Sequence, residues 1–443
     1  MTSHTPNGKP RWRPISTLLV IACVAFPLKG ISADTSTLTG KLIMGYQGWF
    51  QCPGDGTTLG WGHWGNWSDE TAPIVDMLPD VSELPAAERC ATSASSASGP
   101  VELFDDQNPA TVDRQFAWMQ QYGLDGVALQ RYATTLRQPE VLKAVDVVLK
   151  NAKQAAERHD RVFFVMYDLS NKEPRLPADH LAAVVRDWER LEREGVTRSP
   201  VYLHHRGHPL LGIWGLGFSH RPLNPGDAAD LLDALARVSA PYGGVTILGG
   251  LPAYWRTRDR DASPDAGWDQ VWHRLGVISP WAAGRFADEA GADTYRRTSL
   301  EPDMAATRAL GVDYMPVVFP GFSAANRARH LERANAVIPN RIPRRCGRFY
   351  WRQVYNAMSS GATMLYGAMF DEVNEGTALF KVQSSTAQTP LKGLPAGTSF
   401  VAMDADGCRL PSDWYLRLTG EATKLLRNGG KPTPDLPLAL PKN

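Results

Sequence analysis

The chain has 443 residues, of which 43% are hydrophobic and 9% are aromatic. This length and apolar content exclude a disordered chain, and they allow either two ordinary domains or one large α/β barrel. The 47 basic and 46 acidic residues nearly cancel and leave a formal net charge of +1.

Residues 1–33 predict an export signal peptide. Two arginines precede the apolar run ISTLLVIACVAF, and the stretch ISA ends at Ala33 before polar DTST. A membrane anchor is one alternative, but a span needs about 20 apolar residues, and Pro27 and Lys29 interrupt this run. A lipid-modified Cys23 is the other. We therefore expect a secreted or periplasmic protein that lacks a stable membrane span after cleavage.

Removal of this leader changes the formal net charge from +1 to −3, because the leader carries four basic residues and no acidic one. A nucleic-acid partner is therefore not expected. Four cysteines remain, an even number that is typical of disulfides in an exported protein. We favour the pairs Cys52–Cys90 and Cys346–Cys408, since each would close a local irregular segment. Buried free thiols are the alternative.

Eight apolar, β-branched runs predict strands along the rest of the chain. They are KLIMGYQGWF (41–50), DGVALQRY (125–132), VFFVMYD (162–168), LLGIWG (210–215), GGVTILGG (243–250), GVISPW (276–281), YMPVVFPGF (314–322) and TMLYGAMFDE (363–372). Helical periodicity separates them, as in residues 111–123, 139–159, 227–239 and, less cleanly, 322–337.

Strands that alternate with helices indicate parallel βαβ units, and eight such units close into a (β/α)8 TIM barrel. The alternative is an open doubly wound sheet, but no strand is followed by a glycine-rich phosphate loop. We therefore predict one α/β catalytic domain over residues 34–427, with a long loop after the first strand. Residues 91–99, ATSASSASG, predict a flexible surface stretch, and residues 428–443 a flexible tail.

Aromatic and polar residues gather where the predicted strands end, and the carboxyl ends of barrel strands carry the functional loops. Aromatic faces stack on sugar C–H groups, and amides and guanidinium groups bind hydroxyls, so this combination predicts a carbohydrate substrate. The alternative is that the tryptophans only pack the loops. The candidate substrate-binding residues are Tyr46, Gln47, Trp49, Gln130, Arg131, Tyr167, Asp168, Trp214, Tyr254, Trp255, Trp281, Asp371 and Asn374.

The last predicted strand ends abruptly in FDEVNEGT, which places Asp371, Glu372 and Glu375 within five residues. Cleavage of a glycosidic bond usually requires two carboxyl groups, one of which protonates the leaving oxygen. Glu372 and Glu375 could share one site only if the chain turns after Glu372, and NEGT is typical of such a turn. Alternatively, Glu375 caps a helix and Asp371 pairs with Arg131.

FDEVNEGT resembles the FNEWHEGT signature of glycoside hydrolase family 99, the endo-α-mannosidase and endo-α-mannanase family. The stretches MGYQGWF and YGLDGVALQRY are similar to that family's first two strands, and residues from about Lys41 to the LPSDWYLRLTGEATKLL helix resemble a bacterial 71/99-like branch often labelled xylosidase/arabinosidase. The resemblance implies a retaining enzyme on a (β/α)8 barrel.

The resemblance also implies roles for the two glutamates. Glu372 would deprotonate the sugar's own 2-hydroxyl to give a 1,2-anhydro intermediate, and Glu375 would protonate the leaving oxygen. Val373 and Asn374 replace the family's Trp and His, and VMYDL stands where a sugar-binding glutamate is expected. We expect apolar neighbours to raise the pKa of Glu375, and donors such as Arg131 or Tyr46 to keep Glu372 ionised.

The sequence predicts neither a metal nor a cofactor. His204 and His205 in HHRGH are adjacent on a strand and would face opposite ways, with no acidic third ligand nearby. The prediction is thus a monomeric glycoside hydrolase that acts on an oligo- or polysaccharide. The alternative from another functional class is a non-catalytic carbohydrate-binding protein on the same scaffold.

Overall fold

Twelve strands appear in the structure, a computed structural model that describes residues 1–4, 33–68, 72–97, 99–170, 178–221, 223–333, 337–389 and 392–441. The predicted signal peptide lies almost entirely outside these residues. The strands are β1 (Leu42–Tyr46), β2 (Cys90–Ser96), β3 (Gly99–Leu103), β4 (Gly126–Tyr132), β5 (Val162–Asp168), β6 (His204–His205), β7 (His208–Trp214), β8 (Thr246–Pro252), β9 (Val277–Trp281), β10 (Asp313–Tyr314), β11 (Val317–Val318) and β12 (Leu365–Gly367).

A closed ring of parallel strands forms the centre of the fold. Its order is β10-β9-β8-β7-β5-β4-β1-β12-β11. β10 and β11 lie on one short stretch of chain that Pro316 interrupts, because proline has no backbone N–H to donate. β10 pairs with β9 and β11 pairs with β12, so this stretch acts as one strand and joins the two ends of the sheet. The predicted eight-stranded TIM barrel is confirmed.

Helices follow the strands and cover the barrel. They are α1 (Pro109–Gln121), α2 (Pro139–His159), α3 (Ala178–Arg193), α4 (Pro225–Ser239), α5 (Trp268–Trp272), α6 (Glu289–Tyr295), α7 (Glu301–Leu310), α8 (Ala325–His330), α9 (Arg348–Ser359) and α10 (Trp414–Arg427). The helices predicted at 111–123, 139–159 and 227–239 correspond to α1, α2 and α4. α8 is much shorter than the periodicity of residues 322–337 predicts. No helix in the described ranges is long and apolar enough to cross a membrane.

The two ends of α2 illustrate how the local sequence determines where a helix begins and ends. Pro139 occupies the first turn, where its missing N–H costs nothing. Arg158 and His159 lie in the last turn, where cations interact favourably with the helix dipole. Asp160 then adopts a left-handed conformation with φ of 53° and ends the helix.

The long segment after β1 is tied down by a disulfide and by an antiparallel hairpin. Cys52 pairs with Cys90 and Cys346 pairs with Cys408, with Cα–Cα distances of 6.3 and 6.0 Å, as predicted. The prediction of a flexible stretch at 91–99 is wrong, since most of this stretch belongs to β2, which pairs with β3. Backbone hydrogen bonds stabilise this pair even though its small side chains bury little apolar area.

Two further segments differ in their contacts from what the sequence predicts. In the proposed tail, the backbone carbonyl of Thr433 accepts a hydrogen bond from Trp351 Nε1 at 2.9 Å. Leu436, Leu438 and Leu440 pack against the hydrophobic core. In HHRGH, His205 Nε2 lies 2.9 Å from Asp313 Oδ2. The described residues contain no group of three His, Cys, Asp or Glu side chains that could hold a metal ion.

A buried ion-pair network lies between the barrel wall and α3. Arg131 Nε donates to Asp187 at 2.7 Å, Arg131 Nη2 donates to Asp146 at 2.8 Å, and the Tyr167 hydroxyl donates to Asp187 at 2.7 Å. Arg131 and Tyr167 face each other across β4 and β5. Their predicted contact with substrate is therefore wrong, because successive strand residues alternate between the barrel interior and the helices.

The Asp187→Asn variant should be destabilised by about 3 kcal/mol. Removing one partner of a buried ion pair costs roughly 3–5 kcal/mol, and the lower end applies because Asp146 still pairs with Arg131. Urea unfolding measures the change. The matched control on α3 is Asp179→Asn, which breaks the exposed pair with Arg137 and should cost less than about 1 kcal/mol. Equal losses of unfolding free energy in the two variants would contradict the assignment of Asp187 to a buried ion pair.

Candidate active site

The carboxylates that follow β12 lie in a tight turn at the carboxyl end of the barrel. After β12, the Phe370 amide donates to the Gly45 carbonyl at 2.7 Å and keeps the chain beside β1. Gly376 adopts φ of +63°, which favours glycine, and the Thr377 amide donates back to the Glu372 carbonyl at 3.1 Å. The chain therefore turns after Glu372, as the NEGT sequence predicts.

Asp371 has a structural role at the start of this turn. Its carboxylate accepts hydrogen bonds from the backbone amides of Gln47 and Gly48 at 2.8 to 3.0 Å. Burial raises the pKa of Asp371 to about 6, and the two amides oppose that shift. Pairing with Arg131 is not observed, and Asp371 is fully occupied by the backbone after β1, so its predicted contact with sugar is wrong.

Glu372 is buried and held by two neutral donors. Its Oε1 accepts from Gln47 Nε2 at 3.0 Å, and its Oε2 accepts from Thr377 Oγ1 at 2.8 Å. Burial, followed by the neighbouring charge of Glu375, raises the pKa of Glu372 to about 8. Glu372 therefore holds a proton more tightly than an exposed glutamate does.

Glu375 lies in a different environment. Its side chain is partly exposed, and its Oε1 forms an ion pair with Arg327 Nη1 on α8. The expectation that donors keep Glu372 ionised is wrong: its pKa is raised, and its donors are Gln47 and Thr377 rather than Arg131 or Tyr46.

Backbone contacts from two loops hold the carboxylate turn. The Val373 carbonyl accepts from the amides of Asp76 and Met77 at 3.0 and 3.1 Å, and the Glu375 carbonyl accepts from the Ser323 amide at 2.8 Å. The Asp76 carboxylate in turn accepts from Ser323 Oγ at 2.5 Å. The loops after β1 and β11 therefore fix the turn from both sides.

Buried Arg344 holds the far side of the same turn. Its Nη2 donates to the carbonyls of Gly376 and Ala378 at 2.9 and 2.7 Å, and its guanidinium lies 4.7 Å from the ring centroid of Tyr415 on α10. The turn is therefore supported from the barrel's last helix as well as from its loops.

An aromatic wall flanks the site on the β1 side. The Trp49 ring lies 5.4 Å from the His63 ring and 6.0 Å from the Tyr132 ring, measured between centroids. Burial and the nearby charge of Arg327 lower the pKa of His63 to about 4, so the imidazole is neutral. Tyr132 is the last residue of β4, as the strand-end pattern predicts, whereas His63 is an addition to the site that this pattern does not predict.

A second aromatic group lies at the ends of β7 and β9. The Trp214 and Trp281 rings meet edge to face at 5.6 Å, and Asp168 is the register partner of Trp214 in the neighbouring strand. Arg221, in the loop after β7, lies over the Trp214 ring at 5.5 Å. Arg221 comes from a loop, where the sequence has no periodic signal, and Arg327 comes from the short helix α8 within the weakly periodic residues 322–337.

Several buried polar atoms around this site lack a hydrogen-bond partner among the described residues, although such atoms are rare in folded proteins. They are Gln47 Oε1, Trp214 Nε1 and Arg221 Nε. A cluster of unpaired donors and acceptors beside two carboxyl groups fits a ligand that carries many hydroxyl groups.

Other candidates lie elsewhere. Tyr46 is buried and donates to Gln115 of α1, and buried Trp255 donates to Asp303 of α7 at 3.1 Å, so both point to the helices and their predicted sugar contacts are wrong. Tyr254 lines a separate recess with Arg260, whose guanidinium lies 4.2 Å from its ring centroid. Gln130 points into the barrel, with its Nε2 3.9 Å from the sulfur of Met369.

Solved structures share this fold over most of the chain. An endo-α-mannosidase of glycoside hydrolase family 99 from Bacteroides thetaiotaomicron, bound to bis-tris propane, matches with a TM-score of 0.59 and 15% identity, over 89% of this chain and 99% of that one. A second structure of the same kind of enzyme from this organism matches with a TM-score of 0.58 and 16% identity, over 88% and 99%.

A glycoside hydrolase-like protein also matches, with a TM-score of 0.50 and 12% identity, over 81% of this chain and 95% of that one. No protein-family model matches the chain, and no curated protein matches it in sequence. At these identities the likeness establishes the barrel fold.

Proposed function

We propose that this chain is an exported glycoside hydrolase related to family 99, which cleaves a glycosidic bond of an oligo- or polysaccharide with Glu372 and Glu375. The observation that carries the proposal is the pair itself: two carboxyl groups on one turn at the carboxyl end of the barrel, one buried and one paired with arginine. Such opposed environments favour one protonated and one ionised carboxyl group, which acid–base cleavage requires.

The roles implied by the resemblance require the raised pKa of Glu372 to fall when the sugar binds, so that Glu372 can accept a proton while Glu375 supplies one. Glu372 is then ionised, and the donors Gln47 and Thr377 stabilise it.

The reaction then proceeds with retention. The 2-hydroxyl of the sugar gives its proton to Glu372 while its oxygen attacks the anomeric carbon, and the leaving oxygen departs with the proton of Glu375. Water next attacks the anomeric carbon and gives a proton to Glu375, and the 2-oxygen recovers its proton from Glu372. Two inversions at one carbon give net retention.

The pH dependence of kcat/KM should have an alkaline limb near pH 8. This parameter reports the ionisation of the free enzyme, and above the Glu372 pKa of about 8 the pair loses its only proton and the acid is missing. Because the positive charge of Arg327 lowers the Glu372 pKa, Arg327→Met should shift the limb to higher pH. Arg308→Met, an exposed change on α7, should leave it in place, whereas an unshifted limb in Arg327→Met would contradict the coupling.

A non-catalytic carbohydrate-binding barrel is the second candidate. It is favoured by Val373 and Asn374, which replace the Trp and His of the resembled motif. A panel of plant, fungal and bacterial polysaccharides, α-mannan included, separates the two. The hydrolase should release reducing ends from at least one of them, and the Glu372→Gln/Glu375→Gln double variant should not. Binding without release by either protein would overturn the proposed activity.

A further inference from the structure

Arg221 is a cation in the candidate active site without a hydrogen-bonding partner. Its guanidinium lies over the Trp214 ring at 5.5 Å, and its buried Nε has no partner in the described part of the chain. None of the ion pairs among the described residues involves it. An unpaired buried donor costs roughly 1–3 kcal/mol, which a ligand could recover.

The surroundings place Arg221 close to the carboxylate pair. The charges of Arg221 and Glu375 both act on the pKa of Asp168. The charges of Asp168, Arg221 and Arg327 act on the pKa of Tyr132. Asp168 is the acidic neighbour of Arg221, but burial raises its pKa, and its Oδ1 already accepts from the Ser170 amide at 2.7 Å. Asp168 therefore compensates Arg221 incompletely.

Arg327 and Arg221, the two arginines of the site, differ in whether an acidic side chain pairs with them. Arg327 is paired with Glu375, whereas Arg221 lies over an indole and has no ion pair among the described residues. A guanidinium fork matches two oxygens of one anionic group, and stacking fixes its plane at little cost in entropy. A neutral sugar would be served equally well by amides.

We propose that Arg221 and Trp214 form a subsite for an acidic sugar, one that carries a carboxylate or a sulfate ester. Trp214 positions the guanidinium, and the Arg221 fork binds the anionic group. The inference rests on the proposed function, because it names the substrate class of the same site. It predicts that the preferred glycan is acidic, unlike a neutral mannan.

Calorimetric binding to the Glu375→Gln variant tests the subsite without requiring turnover. The probes are galacturonate and mannuronate hexasaccharides, their carboxyl-reduced counterparts, and galactan oligosaccharides with and without sulfate esters. At least one acidic probe should bind about tenfold more tightly than its neutral counterpart, since charge-assisted hydrogen bonds are stronger than neutral ones. The uronate and sulfate arms identify which anionic group is bound.

Substitutions in the same background assign the preference to one residue. Arg221→Gln should remove the tenfold preference, and Arg221→Lys should retain part of it. Arg260→Gln is the matched control, because Arg260 also stacks on an aromatic ring, that of Tyr254, in a different recess. It should bind as the parent does, and thermal melting checks that each variant folds.

The outcomes separate this inference from the proposed activity. Equal affinity for acidic and neutral probes, an unchanged preference in Arg221→Gln, or no binding of any acidic probe would overturn the acidic subsite while hydrolysis of a neutral glycan could still be measured. Conversely, an acid preference that depends on Arg221, together with no hydrolysis by the unmodified protein, would support the subsite and overturn the hydrolase.

Discussion

Replacing Glu375 with glutamine should lower the turnover of natural glycans by roughly 10²–10⁴-fold, the usual contribution of general acid–base assistance. A sugar hydroxyl is a poor leaving group and needs the proton that Glu375 supplies. An aryl glycoside with an activated leaving group needs no such proton, so its first step should be nearly unaffected. Initial rates on both substrate types, measured with equal amounts of folded protein, check this result.

The control for Glu375→Gln is Glu189→Gln, an exposed change on α3 that should leave both rates unchanged. The informative quantity is the ratio of the two rates, because loss of folded protein would lower both equally. Equal loss on natural and activated substrates would remove Glu375 from the acid role. The ion pair of Glu375 with Arg327 would then have no role in supplying the proton.

Replacing Glu372 with glutamine should suppress both substrate types, by roughly 10⁴-fold, the upper end of the range for acid–base groups. A carboxamide cannot take the proton of the 2-hydroxyl, and this transfer precedes departure of any leaving group. The fold should persist, because Gln47 can still donate to the amide oxygen and the Thr377 hydroxyl can accept from the new amide nitrogen. Steady-state rates together with urea unfolding separate lost chemistry from lost structure.

A substrate that lacks the 2-hydroxyl gives an independent check on Glu372. The 2-deoxy form of any cleaved substrate should resist the unmodified enzyme as strongly as the natural substrate resists Glu372→Gln. Rapid cleavage of the 2-deoxy compound would show that the sugar's own hydroxyl is not the nucleophile. Glu372 would then act directly on the anomeric carbon or on water.

The barrel was predictable because its strands are long apolar runs whose character does not depend on distant contacts. The runs at 162–168 and 276–281, for example, became β5 and β9. Sequence alone also placed Glu372 and Glu375 together, since NEGT has strong turn character. Local signals therefore sufficed for the elements and for the turn that brings the two carboxyl groups to one site.

The orientation of rim residues was harder to predict. Arg131, Tyr46 and Trp255 stand at or just after strand ends, yet their side chains point to the helices. Successive strand residues point alternately to the barrel interior and to the helical layer. Proximity to a strand end therefore does not decide which of the two a side chain faces. Asp187 on α3, the partner of Arg131, lies 56 residues away in sequence.

The protonation pattern depended on contacts that sequence does not encode locally. Arg327 reaches Glu375 from α8, and His63 enters the aromatic wall from the long loop after β1. His63 has no periodic or motif signal, and the weak periodicity around Arg327 does not indicate which carboxylate it pairs with. The raised pKa of Glu372 follows mainly from its burial, and one of its two donors is Gln47, a residue at the opposite end of the domain's sequence.

The stereochemistry of the first product tests the central claim most directly. Time-resolved NMR of the anomeric protons, recorded before mutarotation on any glycan or aryl glycoside that the protein cleaves, shows whether configuration is kept. Two displacements at one carbon, driven by Glu372 and Glu375, predict that the first product retains the anomeric configuration of the substrate. A first-formed product of inverted configuration would contradict the mechanism proposed for this pair.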